Sequence, residues 1–99
     1  MKKWYTENNV LNRAIESFWK CFENYESEEH EEYTTVFPKG KENVKLIFEK
    51  FVYEVVSLDF DHEIFSLYLH IFVDDETVGW FKQEYLLDGM AVDEFFVVD

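Results

Sequence analysis

The chain has 99 residues, of which 47% are apolar and 20% aromatic, and its formal net charge is −13 at pH 7. This length predicts a single domain spanning residues 1–99, and the aromatic content excludes a disordered chain, because disordered chains are poor in aromatic residues. The acidity disfavours direct binding to nucleic acid or to an anionic membrane, since both attract basic surfaces.

The first residues and the single cysteine predict the compartment. Lys2 and Lys3 are followed by a polar stretch instead of the apolar core of a signal peptide, so we expect none. The longest uncharged run, residues 64–73, is far shorter than the ~20 residues of a membrane-spanning helix. Cys21 is alone and has no partner for an intramolecular disulfide. We therefore expect a soluble, cytoplasmic protein.

The first predicted element is a helix near the N-terminus. Apolar residues recur at spacings of three and four, which places them on one helix face. Thr6 or Asn9 is expected to cap its start, and the helix is expected to end near Glu26. The glutamate-rich residues that follow, to Glu32, are predicted to form an exposed acidic connector. The apolar positions are Leu11, Ala14, Ile15, Phe18, Phe22 and Tyr25.

Two segments follow before the clear β pattern begins. Residues 33–37 have the β-branched and aromatic composition of a strand, and Pro38 with residues 39–41 predicts a turn. Residues 41–51 fit both a helical period and an alternating strand pattern. For this segment we expect a short second helix.

From Val52 onward the alternation of apolar and polar residues predicts strands. The expected strands are residues 52–61, 64–73, 77–87 and 90–98, joined by turns at 61–63, 74–76 and 88–89. The predicted fold class is therefore α+β. The N-terminal helix and the short second helix pack on an antiparallel meander of four to five strands.

The dipeptide Asp88-Gly89 predicts the register of the last hairpin. A two-residue type I′ turn there pairs Leu87 with Met90, Tyr85 with Val92, Phe81 with Phe96 and Glu84 with Asp93. One face would then be a core face, interrupted by Gln83 and Glu94. Its apolar members are Phe81, Tyr85, Leu87, Met90, Val92, Phe96 and Val98.

The opposite face of the predicted sheet is also aromatic and is the candidate partner-binding surface. Tyr68, Trp80 and Phe95 lie there beside Glu84 and Asp93. Aromatic anchors with flanking charges are typical of recognition patches. Glu84 opposite Asp93 is a like-charge pair and mildly destabilising. The alternative is that these aromatic residues fill a core on both sides of the sheet.

The charge is distributed unevenly along the chain. Residues 1–50 carry eight basic and ten acidic side chains, whereas residues 51–99 carry Lys82 alone against twelve carboxylates, a net charge of −11. Within the first half, residues 23–32 hold six glutamates, including Glu28 and Glu29, and no lysine or arginine. We expect Glu28 and Glu29 to contribute to partner binding alongside the sheet residues.

The sequence predicts no enzyme and no cofactor or metal. Asp59, Asp61 and Glu63 resemble a cation site, but no glycine-containing calcium loop accompanies them, and we interpret them as a solvated acidic hairpin tip. Cys21 with His62 or His70 would resemble a nucleophile–base pair, but its place on the helix indicates a small buried thiol.

These patterns favour a small acidic binding protein over an enzyme. The leading hypothesis is an inhibitor or immunity-type protein that neutralises a basic, nucleic-acid-binding or nuclease-like partner, including by imitating nucleic acid. The alternative is a homodimeric domain whose aromatic sheet face is the dimer interface, with the acidity serving only solubility. A third alternative, from another class, is a small enzyme or a ligand pocket between helix and sheet.

Overall fold

A computed structural model of the chain describes residues 2–56 and 62–99. The described helices precede the described strands in the chain. The helices are α1 (Lys2–Glu7), α2 (Val10–Glu28) and α3 (His30–Val36), followed by a short 3-10 turn (Gly40–Asn43). The strands are β1 (Val44–Val56), β2 (His62–Val73), β3 (Glu76–Leu86) and β4 (Ala91–Val98).

The four strands form one antiparallel sheet in the order β1-β2-β3-β4. The helices pack on one face of this meander, so the α+β fold class predicted from the sequence is confirmed. The predicted alternation in residues 57–61, and the start of the turn expected at Asp61, lie outside the described residues.

Helix α2 presents a narrow apolar stripe to the sheet. Val10, Ala14, Phe18 and Phe22 follow one another at intervals of four residues and are almost wholly buried. Asn9 occupies the position before the helix, as expected, although its side chain bonds Asn12 and not the helix backbone. Within the described part of the chain, no helix is long and apolar enough to cross a membrane.

The region after α2 differs from the prediction. α2 continues to Glu28, the backbone bends at Glu29, and α3 occupies residues predicted as connector and strand. The strand prediction for residues 33–37 was wrong because Tyr33 and Phe37 are one helical turn apart and are both buried beside Phe22. Burial of these two rings outweighs the β propensity of the threonines between them.

The helix predicted for residues 41–51 is also corrected, because β1 begins at Val44. A bulge between Phe48 and Lys50 inserts one extra residue into this strand. The insertion makes Phe48 and Phe51, which are three residues apart, contact Tyr5 on the same side of the sheet. This i, i+3 spacing resembled a helical period, but it results from the bulge.

The type I′ turn expected at Asp88-Gly89 is found at another hairpin, at Asp74-Asp75. Asp74 and Asp75 both have positive φ, at 49° and 68°, and join paired Val73 and Glu76, so the two-residue turn with type I′ character lies there. At the last hairpin only Gly89 has positive φ, at 93°.

The changed turn shifts the register at the end of the last hairpin. The predicted pairs Phe81–Phe96 and Glu84–Asp93 are confirmed, but Tyr85 lies opposite Ala91 and not Val92, because the ladder is irregular between Glu84 and Tyr85. The longer turn removes three predicted core residues from the core. These residues are exposed: Leu87, Met90 and Val92.

Candidate interaction surfaces

The open sheet face is the side of the sheet opposite α2. Phe81 is fully buried against Phe18 of α2, so its neighbours Trp80 and Lys82 point to the other side. Among the described residues, no helix packs on this second side. The alternation predicted from the sequence therefore places Tyr68, Trp80 and Phe95 on one face, as expected.

The centre of the open sheet face is an aromatic and cationic cluster. The rings of Tyr68 and Trp80 lie 6.4 Å apart between centroids. The Lys82 ammonium lies 5.3 Å from the Tyr68 ring centroid and 5.4 Å from that of Phe95. Lys50, from β1, approaches the same Tyr68 ring to 4.7 Å. These distances are in the range of cation–π attraction, so the two lysines hold the aromatic rings in place.

Lysine side chains neutralise much of the negative charge on the open sheet face. Glu84 lies opposite Asp93, as predicted, but its Oε2 is 3.1 Å from the Lys82 Nζ, and both side chains are mostly buried. Burial alone lowers the pKa of Lys82, yet hydrogen bonds to Glu84 and Tyr68 raise it above its ordinary value of 10.5. Lys82 is therefore charged at neutral pH and relieves the repulsion between Glu84 and Asp93.

The glutamate cluster is a second surface, at the bend between α2 and α3. All six of its carboxylates are on exposed residues, and within residues 2–56 and 62–99 none of them forms an ion pair. One of them, Glu32, accepts a 2.7 Å hydrogen bond from the Tyr25 hydroxyl. Burial, and then this bond, raise the pKa of Tyr25. The cluster consists of Glu23, Glu26, Glu28, Glu29, Glu31 and Glu32.

The structure separates the predicted partner-binding residues into two groups. Tyr68, Trp80, Glu84, Asp93 and Phe95 share the open sheet face. Glu28 is the last residue of α2, and Glu29 follows it. Helix α2 packs on the opposite side of the sheet. One flat partner surface therefore cannot contact both groups at once.

Cys21 is a half-buried thiol at the edge of the core. Burial, followed by the charge of Glu94 and a hydrogen bond to it, raises the pKa of Cys21 to about 12. The thiolate is therefore scarce at neutral pH. His70 lies on the opposite face of the sheet, where its Nε2 is 2.5 Å from Glu49 Oε1. Cys21 and His70 are thus not a nucleophile–base pair.

The metal-like acidic motif is only partly described. Asp59 and Asp61 lie outside the described residues, and Glu63 accepts a 2.5 Å hydrogen bond from the Tyr53 hydroxyl. In the described ranges, no group of three or more histidine, cysteine or acidic side chains is arranged to hold a metal ion. The space between α2 and the sheet is filled by the rings of Phe18, Phe81 and Phe96.

The sequence reasoning missed the roles of Lys50 and Lys82 on the open sheet face. Alternation along β3 places Lys82 on the open sheet face. The predicted register would therefore have been enough to place it beside Glu84 and Phe95. Lys50 could not be placed in this way, because its segment resembled a helix and only the bulge directs it toward Tyr68.

Comparisons with protein-family models, with curated proteins and with solved structures found no match to this chain.

Replacing Lys82 with methionine tests the balance of charge on the open sheet face. Methionine keeps an apolar stem but leaves Glu84 opposite Asp93 uncompensated, so Lys82→Met should lower the free energy of unfolding by about 1 kcal/mol. At neutral pH, where Lys82 is charged, the wild type should exceed the variant in free energy of unfolding by this full amount. The excess should disappear as the pH rises through the raised pKa of Lys82, because the lysine then loses its charge. Urea unfolding measures both effects.

The matched control is Lys20→Met, at an exposed position on α2. It removes the same charge and should leave the stability nearly unchanged. Equal losses of stability in both variants would contradict a local role for Lys82.

Proposed function

We propose that this chain is a small, non-enzymatic binding protein that neutralises a basic protein partner, as an inhibitor or immunity-type protein does. The observation that carries the proposal is the glutamate cluster. None of its six exposed carboxylates forms an ion pair among the described residues, whereas Glu84 and Glu49 of the open sheet face pair with Lys82 and Lys50. An uncompensated acidic surface attracts a cationic partner most strongly.

The geometry of the cluster supports this role. Its carboxylates lie on two helices that meet at Glu29, and the second helix is fixed by burial of Tyr33 and Phe37. The charges are therefore spaced along a supported surface, and not along a free connector. Carboxylates spaced in this way can occupy the phosphate sites of a nucleic-acid-binding or nuclease-like partner. The proposed contact residues include Glu28 and Glu29.

Reversing charge in the cluster tests the proposal. Glu28→Lys with Glu29→Lys should slow association with a basic partner on the order of tenfold at low salt, because charge steering acts mainly on the association rate. The measurement is affinity capture from an extract of the producing cell, followed by association kinetics of the captured protein. The same partner should bind wild type more slowly as salt rises, because salt shortens the charge field.

The control is Glu7→Lys with Glu16→Lys, which changes the net charge equally at exposed positions away from the cluster. It should reduce association much less. Asp93→Lys probes the open sheet face without removing the partner of Lys82. If no basic protein is captured at low salt, or if all three variants bind like wild type, the acidity serves solubility and the proposal fails.

A second candidate function is homodimerisation through the open sheet face. It is favoured by the aromatic character of this face and by its near balance of charge, with Lys50 beside Glu49 and Lys82 beside Glu84. Phe95 remains 38% exposed there. A second copy could approach this face without the repulsion expected from the net charge of −13.

Trp80→Glu tests this second candidate. A new carboxylate beside Tyr68 should separate a face-to-face dimer into monomers without unfolding the chain, because Trp80 points away from the core. Analytical ultracentrifugation measures the assembly, and circular dichroism checks the fold. A dimer that persists in Trp80→Glu would exclude the open sheet face as its interface.

A further inference from the structure

The outer strand β1 is a second place where two copies can meet, and it is separate from the open sheet face. β1 is 13 residues long and pairs on one side with β2, while no other described strand pairs with its outer side. An outer strand of this length presents a row of backbone donors and acceptors that a further strand can satisfy. Short or strongly charged outer strands avoid such pairing, and β1 is neither.

The side chains of β1 are unusually apolar for an exposed strand. Four of the eight large apolar side chains that are exposed among the described residues belong to it. Exposed apolar side chains gathered along one edge are typical of an interface. The four are Ile47 (40% exposed), Phe48 (47%), Tyr53 (44%) and Val55 (56%).

The charge of β1 also favours a second copy. Lys45 and Lys50 balance Glu49 and Glu54, so this strand is neutral in a chain of net charge −13. The other outer strand, β4, carries Asp93 and Glu94 without a basic residue, and two copies of it would repel. Of the two outer strands, only β1 can meet its own copy without like-charge repulsion.

The sequence of β1 is complementary to itself when two copies run antiparallel. With Glu49 of one copy opposite Lys50 of the other, Lys45 falls opposite Glu54. Opposite charges in such cross-strand pairs stabilise a sheet, and each pair occurs twice in a symmetric dimer. The remaining positions match apolar to apolar: Val44 with Val55, Leu46 with Tyr53, Ile47 with Val52, and Phe48 with Phe51.

The bulge makes this pairing consistent with the two faces of the sheet. Without the bulge, the side chains of residues 49 and 50 would point to opposite faces of the sheet. With it, Glu49 reaches His70 and Lys50 reaches Tyr68, both on the open sheet face. Phe48 and Phe51 both lie on the helix side, each against Tyr5. Every opposed pair therefore has its two side chains on one face, as an antiparallel ladder requires.

We propose that β1 pairs antiparallel with β1 of a second copy, centred on the bulge, and joins the two sheets into one of eight strands. The groove of about 470 Å³ between α1 and β1, lined by Lys2, Tyr5, Thr6, Phe48 and Phe51, opens beside this edge. In the dimer, Phe48 of one copy opposite Phe51 of the other extends the groove's apolar wall across the junction. The glutamate cluster and the open sheet face stay accessible in this dimer.

A charge-swap experiment tests the pairing. Lys45→Glu places Glu opposite Glu54 twice, and Glu54→Lys places Lys opposite Lys45 twice. Each variant should raise the dimer dissociation constant roughly tenfold or more. The double variant Lys45→Glu with Glu54→Lys should restore the wild-type constant. An equimolar mixture of the two single variants should form a heterodimer. Sedimentation equilibrium of the full chain, with native mass spectrometry for the mixture, measures these outcomes.

Matched controls separate the edge from other surfaces. Lys20→Glu and Glu16→Lys make the same charge changes on α2 and should leave the dimer unchanged, and so should Trp80→Glu. The inference is overturned if the wild-type chain is a monomer at every concentration, or if the swap fails to restore a dimer lost in the single variants. It is equally overturned if the dimer survives both single variants but is lost in Trp80→Glu, which would favour the open sheet face instead.

Discussion

The packing of one ring, Phe18, on the inner face of the sheet is the contact on which the rest of this structure depends. The Phe18 ring meets Phe81 edge-on at 5.7 Å and stacks on Phe96 at 5.6 Å, so it ties α2 to the two final strands. Aromatic pairs in such geometries contribute about 0.5–1.5 kcal/mol beyond the burial of their surface. Successive side chains of a strand point to opposite faces of the sheet. Because Phe81 and Phe96 lie in the core, Trp80 and Phe95 therefore lie on the other face.

Much of the fold follows from periodicity in the sequence, and the exceptions have physical causes. The α2 stripe and the alternation in residues 64–98 predicted the helix and three of the four strands, because each pattern is long and regular. Residues 33–37 have strand composition, yet residues 33–36 are helical, because the helix buries Tyr33 and brings Phe37, which follows it, against α2. The first part of β1, residues 44–51, was missed because a single inserted residue at Glu49 turns strand alternation into a mixed period that no local rule distinguishes from a helix.

The candidate surfaces were predicted to a similar extent. Alternation was sufficient to bring Tyr68, Trp80 and Phe95 together, because these residues belong to regular strands. It could not show that Lys82 compensates Glu84, since an ion pair depends on side-chain geometry. Nor could it show that Glu28 lies on the opposite side of the sheet, since this depends on how α2 packs. The resulting division is the basis of the proposed function: Glu84 and Glu49 on the open sheet face have lysine partners, and the carboxylates of the glutamate cluster form no ion pair among the described residues.

Hydroxyl-radical footprinting of the dilute chain, resolved by residue, tests the central claim most directly. That claim is that α2 covers one face of the sheet and leaves the other open. Phe81 and Phe95 lie on adjacent strands and have the same chemistry, but Phe81 is fully buried and Phe95 is 38% exposed. We expect Phe95 to oxidise several times faster than Phe81, and Phe18 to be as protected as Phe81. Equal oxidation of Phe81 and Phe95, or faster oxidation of Phe18, would contradict this claim.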